Sequence, residues 1–600
     1  MLTPDSADQA VVKSVRHEKV CRTLYSLFPS QHSIDAITQA SAGPYFVTSL
    51  FYCFRDGLEG KTESHHTVSV IPPLAGSHPT VLARRLVQLG ICMQQLPPAF
   101  DTQKLQMKGT LPETMHNIIS TVANLVTSND EIVGTAEGLE CLVLQGFWHA
   151  NAGNLRKAWL SYRRAMSLAQ LMGIDRGSRR ALKYADAATD PSQRPTPEGL
   201  WYRIIYCDRY LSLLLGLPVG STDNSFASEE GMRRDTQMER LEKLHAVAAA
   251  RIVDRNTQGT SSAQAYALTQ TIDHDLEAAA RLLGQEWWSE PPMPILINDP
   301  LGPVQERMGQ MLHLMVQMHH FDLLILLHLP YMLRDPTENR YDYSKTTCIR
   351  SSREVLKRFI SFRTLINTAF SCRHVDYSAL VASMTLLLSY LRQHQDAAQA
   401  VQVSCAQRAE DRKLIEVVRE RMQHVAVINH DKLSQESAEI IGQMMPILDS
   451  VDASLMGGVS ECSANALKCL HLNIPYLGTI NIHPSMVPVV PCPLIEATTA
   501  VEQEQQRTPV EGAGGANMSS NNLEYGPLGP LEPAFQMSPA TEAATINGMF
   551  MQFEPHLAQD DSNMLGEFPE LTAEADDWTF QGVDTTYWSL LNGNNMGFGV

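Results

Sequence analysis

The 600-residue chain has eleven cysteines, scattered singly from Cys21 to Cys492, and not one Cys-x-x-Cys pair. That lack removes the spacing a cysteine-built zinc site or a redox dithiol needs, and leaves no disulfide framework. The thiols are expected as small core residues in a reducing compartment. No run of five to eight basic residues occurs. Arg84-Arg85, Arg163-Arg164, Arg179-Arg180 and Arg233-Arg234 stand as isolated pairs, and Gly177-Ser-Arg-Arg-Ala-Leu-Lys183 is the densest basic stretch. None amounts to a phosphate-binding patch or a good nuclear signal. The opening Met1-Leu-Thr-Pro-Asp-Ser-Ala-Asp8 has no basic region and no apolar run, so no secretory signal is read. Long apolar runs are also scarce. The strongest, Met308 to Leu333, is interrupted by His313, His319, His320, Asp322 and His328, which predicts a buried helix pair and no membrane partner. The protein is expected to be soluble and intracellular. Nucleophile elbows, phosphate-cradling glycine loops and H-E-x-x-H pairs are missing from any fitting context. The chain is therefore not read as an enzyme, and no catalytic residue, cofactor or metal ligand is assigned.

What is present is helical periodicity. Leu200-Trp-Tyr-Arg-Ile-Ile-Tyr-Cys-Asp-Arg-Tyr-Leu-Ser-Leu-Leu-Leu-Gly-Leu-Pro218 places Trp201, Ile204, Ile205, Leu211, Leu214 and Leu215 on one face. Gly216 suits a left-handed cap, and Pro218 stops the helix. Asp208 and Arg209 interrupt this segment with charge. The reading preferred is structural, with Asp208 holding a partner across helices and Arg209 extending its head to water. Similar patterns predict helices within 14–55 and over 79–90, 110–128, 131–149, 154–173, 236–253, 262–284, 303–329, 344–370, 376–395 and 405–428. No alternating apolar and polar run supports a sheet. The fold class predicted is all-α, a multi-helix bundle. Asn151 to Gly173, with Trp159 among small alanines, looks like one tetratricopeptide-type hairpin. No second copy follows at a fixed period, so it predicts a local helical hairpin within the bundle.

His313, His319, His320 and His328 are spaced six, one and eight apart. That spacing does not pair two imidazoles at i, i+4 on a helix face, so they are read as core histidines rather than metal ligands. His65-His66 falls in a predicted loop.

Charge and composition then divide the chain. Lys and Arg total 47 against 65 Asp and Glu, a net charge of −18. Beyond residue 500 fifteen carboxylates face a single basic residue, Arg507, so most of the excess sits in this last sixth. The predicted organisation is a disordered 1–13, a helical body over 14–450, a proline-containing strap or linker over 451–499, and a largely disordered acidic-aromatic tail over 500–600. Within the tail, Trp578, Phe580, Tyr587, Trp588 and Leu591 stand among carboxylates. Mutually repelling charges keep such a chain open, and Tyr587, Trp588 and Leu591 share one face of a transient helix able to enter a greasy groove. This composition marks an activation segment that recruits transcription machinery or a coactivator. A solvated tail, or one docking on its own domain, is the plainer alternative.

Six stretches in order resemble the middle homology domain of the fungal-specific transcription factors, regulators that usually carry a binuclear zinc cluster. They are Cys21 to Ser30, Pro79 to Gly90, Asn151 to Gly173, Leu200 to Pro218, Leu326 to Leu333, and Tyr341 to Phe359. The resemblance covers residues 15 to 450. It implies an all-α fold, nuclear localisation, an acidic C-terminal activator, and structural roles for Trp159, Trp201, Asp208, Arg209, Gly216 and Pro218. The biological setting it implies is control of metabolic, including secondary-metabolite cluster, genes. The family's zinc cluster needs six cysteines, and none precedes Cys21. No cluster residue carries over, and no zinc is assigned to this chain. Direct DNA contact then requires an upstream exon outside this sequence. Otherwise the protein acts through a DNA-bound partner or titrates one. Two other readings stand beside the regulator. One is a helical adaptor or scaffold without DNA binding. The other is a small-molecule sensor with 304–333 lining a pocket between helices.

Overall fold

The computed structural model describes residues 17–51, 73–289, 304–332, 339–365, 372–395, 405–429, 432–455, 470–474 and 478–482, apart from short breaks at 106, 108, 177–181, 186–193 and 261. The regions assigned from sequence to 1–13 and 500–600, with Trp578, Phe580, Tyr587, Trp588 and Leu591, lie outside the described residues, as do His65-His66 and Arg179-Arg180.

The body is all-α. Helices α1 (17–25), α2 (Gln31–Ala40) and α3 (Gly43–Phe51) open it. The second and third pack on α4 (Pro79–Gln94), whose first residue is the proline expected at a helix start. Next come α5 (Leu111–Val122), a π turn over Ala123–Thr127, and a short α6 (Asp130–Val133). A capping box between Thr110 and Glu113 starts α5 by satisfying two orphan amides reciprocally. Helices α7 (Ala136–Asn151) and α8 (Leu155–Met172) form the expected hairpin across a three-residue turn. Gly146 permits their close approach, since a Cβ there would lie 2.7 Å from the Tyr162 ring.

Helix α9 (Pro197–Leu215) follows, capped by Thr196 at its start and by Gly216 at φ 68° at its end. An L side chain is strained at that angle, which is why glycine occupies it. Then come α10 (Gln237–Gln258), α11 (Ala263–Ala280) and the single turn α12 (Gln285–Trp288). Helix α13 (Val304–Met332) corrects the expected helix pair. It is one continuous helix of 29 residues, because no breaker occurs before Pro330 in its last turn. Its stretch Gly309–Met332 is long and apolar enough to cross a membrane by length and composition, yet 72% of that window is buried inside the protein. It packs along α14 (Asp342–Leu365) and against α15 (Arg373–Gln395). Helices α16 (Cys405–Asn429) and α17 (Lys432–Leu455) complete the bundle.

One continuous apolar core runs from Cys21 to Met445. Cys92 and Cys141 are buried within it, and burial pushes both thiols up to about 12. They are therefore protonated core groups at neutral pH.

The expectation of no sheet fails beyond this body. Strands β1 (Leu470–Ile474) and β2 (Gly478–Ile482) pair antiparallel, with Leu472 opposite Ile480. Both carry period-two alternation, Leu-His-Leu-Asn-Ile and Gly-Thr-Ile-Asn-Ile, joined by a three-residue connection short enough for a hairpin.

Candidate functional site

Helix α9 has two unlike faces. Trp201, Ile204, Ile205, Asp208, Arg209, Leu211 and Ser212 are buried, whereas Tyr202, Arg203, Tyr206, Cys207 and Tyr210 are only half-buried. The period of four among the tyrosines places all three on one side.

On the buried side the residues singled out from sequence meet. Asp208, fully buried, pairs with Arg163 of α8 (Nε to Oδ1, 2.6 Å) and accepts the Gly220 amide at 2.7 Å. Arg163 also donates to the Pro218 carbonyl and lies 4.6 Å from the centre of the Trp159 ring. Trp159 donates its indole N–H to Ser212 at 3.0 Å, and Ser212 donates to the same Pro218 carbonyl at 3.2 Å. Arg209 does not reach water as expected. It is fully buried and donates to the carbonyls of Asp223 (2.7 Å), Ser221 (3.2 Å) and Ala246 (3.3 Å) and to Asn224 Oδ1 (2.8 Å). The loop after Gly216 turns back over the helix and offers three of these oxygens, and α10 offers the Ala246 carbonyl, so burial of the guanidinium is met by fixed acceptors. Trp201 ties the same loop from the helix's first half, donating to Asp223 Oδ2 at 2.7 Å. Trp159, Trp201, Asp208, Arg209, Gly216 and Pro218 thus form one clasp binding α8, α9 and the loop to Asn224.

The other side of α9 faces a cavity of about 1060 Å³. Its walls come from α3, α7, α8, α9, α10, α13 and the start of α15. Apolar lining includes Phe46, Phe51, Phe147, Leu312, Met315 and Val375. Tyr202, Tyr206 and Tyr210 form a ladder along it, met by His319 of α13, whose ring centre lies 4.5 Å from that of Tyr210 and 6.0 Å from that of Tyr206. His374 of α15 closes on Tyr210 from beyond, ring centres 6.2 Å apart. The lining reaches solvent at exposed Glu198, Glu230 and Arg234.

Burial raises all three phenols above their ordinary range, with Glu242 adding to the shift at Tyr202 and Tyr206 and Asp322 at Tyr210. Burial also lowers the imidazoles, His319 to about 3 and His374 to about 4, with neighbouring histidine or arginine charge in the same direction. At neutral pH these five rings are uncharged. The deep charges are Arg203 and Glu242. Burial acts against the Arg203 charge, but neighbouring groups, Glu242 foremost, outweigh it. Its guanidinium donates to the carbonyls of Leu50 (2.8 Å) and Ser49 (3.3 Å) and lies over the Tyr206 ring at 5.5 Å. Burial raises Glu242, with Arg203 opposing.

The predicted pocket region is partly placed here. Leu312, Met315, Val316, Met318 and His319 line the cavity, whereas the second half of α13 does not. The four histidines go to different surroundings. His313 stacks on Trp287 (ring centres 4.3 Å apart) and meets its carbonyl at 2.7 Å. His320 shares a 3.0 Å hydrogen bond with His245, and His328 bridges Asp273 (3.1 Å) and Ser344 (3.0 Å). The residues missed from sequence are Tyr202, Tyr206, Tyr210, Glu242 and His374. The tyrosine spacing was a visible signal; the partners across the void were not.

Comparison with known proteins follows the whole length of the chain. It is 57% identical over 624 aligned positions to a protein of Sordaria araneosa named transcription factor sdnS, covering all of this chain and 80% of that protein. It is 31% identical to a dehydrocurvularin biosynthesis regulator of Alternaria cinerariae, covering 100% and 84%, and 32% identical to one of Aspergillus terreus, covering 96% and 82%. No family model matches the chain, and no solved structure matches it.

Proposed function

Since this chain belongs to the fungal transcription factors, we propose that it regulates a set of secondary-metabolite biosynthetic genes in response to a small molecule received in the α9 cavity. The names of its relatives support the biosynthetic setting, because two of them are regulators of one product's biosynthesis. The cavity supports the sensing role. Its walls combine apolar surface with polar groups, and its volume is that of a small-molecule site, as ligand pockets require. In this reading the protein works in the nucleus without catalysing a reaction. It reaches DNA through a bound partner, or through a zinc cluster encoded beyond this sequence. The acidic-aromatic segment carrying Trp578, Phe580, Tyr587, Trp588 and Leu591 contacts the transcription machinery.

Two measurements test the proposal. Transcripts of secondary-metabolite biosynthetic genes should fall in a strain lacking this gene. A Met315→Trp strain, which fills the cavity, should alter those transcripts at unchanged protein level. Residues 545–600 fused to a heterologous DNA-binding domain should activate a reporter, and Ala at Trp578, Trp588 and Leu591 should lower the signal. Unaltered transcripts in the deletion strain, or an inert fusion, would remove the corresponding half of the proposal.

A further inference from the structure

The cavity's chemistry selects among the small molecules that its volume admits. Two features matter, and both are on the wall of α9 and across from it.

The first is charge. The lining carries four bases, Arg194, Arg203, Arg234 and Lys243, against six acids; Arg194 is paired with Glu140 and Lys243 with Asp235. Arg203 gives two of its donors to the Ser49 and Leu50 carbonyls and lies against the Tyr202 and Tyr206 rings. It and Glu242 act electrostatically on one another. The imidazoles nearest the ladder add no positive charge at neutral pH. A carboxylate, sulfonate or phosphate entering this space would lose its hydration and meet cations that already face carboxylates of the protein. At the rim, two exposed acids, Glu198 and Glu230, outnumber the one exposed base, Arg234, which disfavours an anion further.

The second is unspent hydrogen bonding. Among the described residues, the Tyr206 hydroxyl and the His319 and His374 rings have no hydrogen-bond partner, and all three side chains are half-buried against the cavity. The Tyr202 hydroxyl, cut off from solvent, also lacks a partner. The Tyr202 hydroxyl is thus a buried polar group awaiting a partner, and the other three face the open cavity, where a ligand's polar atoms can pair with them. Neutral imidazole and phenol each offer a donor and an acceptor. Hydroxyl, ketone and ester oxygens complement them, and so does a bridging water.

We propose that the cavity binds an uncharged, mainly apolar metabolite of several fused or linked rings, whose hydroxyl or carbonyl oxygens pair with Tyr206, His319 and His374. This rests on the reading of the cavity as the effector site and adds the ligand's class to it. Phe46, Phe147, Leu312 and Met315 hold the hydrocarbon body, and the tyrosine ladder orients the oxygens along α9.

The test uses the full chain and four probes. Nile red, a neutral fluorescent ketone, is titrated first, and progesterone, a neutral diketone, competes against it. Anilinonaphthalene sulfonate and cholate are their anionic counterparts. Nile red and progesterone should bind at least tenfold more tightly than the two anions. Tyr206→Phe and His319→Phe should each weaken progesterone about fivefold, the size of one lost hydrogen bond, while Met315→Trp abolishes binding of both neutral probes. Anions binding as well as the neutral probes, with Met315→Trp still blocking them, would overturn the ligand class and leave the effector site standing. Failure of all four probes, or binding indifferent to Met315→Trp, would overturn both.

Discussion

The two faces of α9 are built from the same kinds of residue and end in opposite states. On the clasp side Asp208, Arg209, Trp201 and Ser212 each have named protein partners at hydrogen-bond distance. On the cavity side Tyr206 and, across the void, His319 have none among the described residues. A helix that only filled a bundle would have no reason to tie down the polar side chains of one face and leave those of the other open. The contrast separates what fixes the fold from what is left for another molecule. Arg209→Met tests it most severely. The substitution removes the donor from three carbonyls and Asn224 while nearly keeping the volume. Breaking a buried charged network in this way costs about 3–5 kcal/mol. Chemical denaturation should show a loss of that order, and a loss under about 1 kcal/mol would mean that the clasp does not hold the helix.

The cavity side carries a smaller, pH-dependent cost. His319 and His374 titrate at about 3 and 4 in the folded protein, because burial keeps them neutral, against 6.5 for an ordinary histidine. The unfolded chain takes up their protons first. Stability from these groups is therefore complete above pH 6.5 and is lost as pH falls from 6.5 toward 4 and 3. The slope is about 1.4 kcal/mol per pH unit for each histidine, so about 2 kcal/mol for each between pH 6.5 and 5. Denaturation midpoints measured across that window should fall steeply. His319→Phe should flatten the fall by its share, whereas an unchanged slope would place His319 in contact with water.

Much of this contrast was legible before any coordinates, and the part that was not has a common cause. Charge in the middle of an apolar helix marked Asp208 and Arg209 as unusual, and Gly216 with Pro218 marked the helix end. Their partners were invisible, since Arg163, Gly220 and Ala246 lie 45, 12 and 37 positions away with no pattern linking them. Arg209 was expected in water because nothing local shows that the chain folds back over it. Tyr202, Tyr206 and Tyr210 were spaced for one face, but a ring every four residues reads equally as core. Only Leu312, His319 and His374, brought in from more than a hundred residues downstream, leave a void opposite them. The hairpin at 470–482 escaped for another reason. Its strands are five residues each, too short for alternation to stand out from the proline-rich sequence that follows.

The finest test of the contrast is a deletion of one oxygen. If the cavity face contributes nothing to the fold, Tyr206→Phe should change stability by less than about 0.5 kcal/mol, because the hydroxyl it removes bonds to no protein group and the ring that remains keeps its packing. A slight gain is the expected sign, since a half-buried hydroxyl without a partner is desolvated for no return. The same substitution on the clasp side, Trp159→Phe, removes the donor to Ser212 and should cost about 1 kcal/mol or more. Thermal denaturation of the two variants side by side decides the matter. Equal losses would mean that Tyr206 supports the bundle as Trp159 does, and that the open polar wall of α9 is part of the scaffold rather than a surface kept for a ligand.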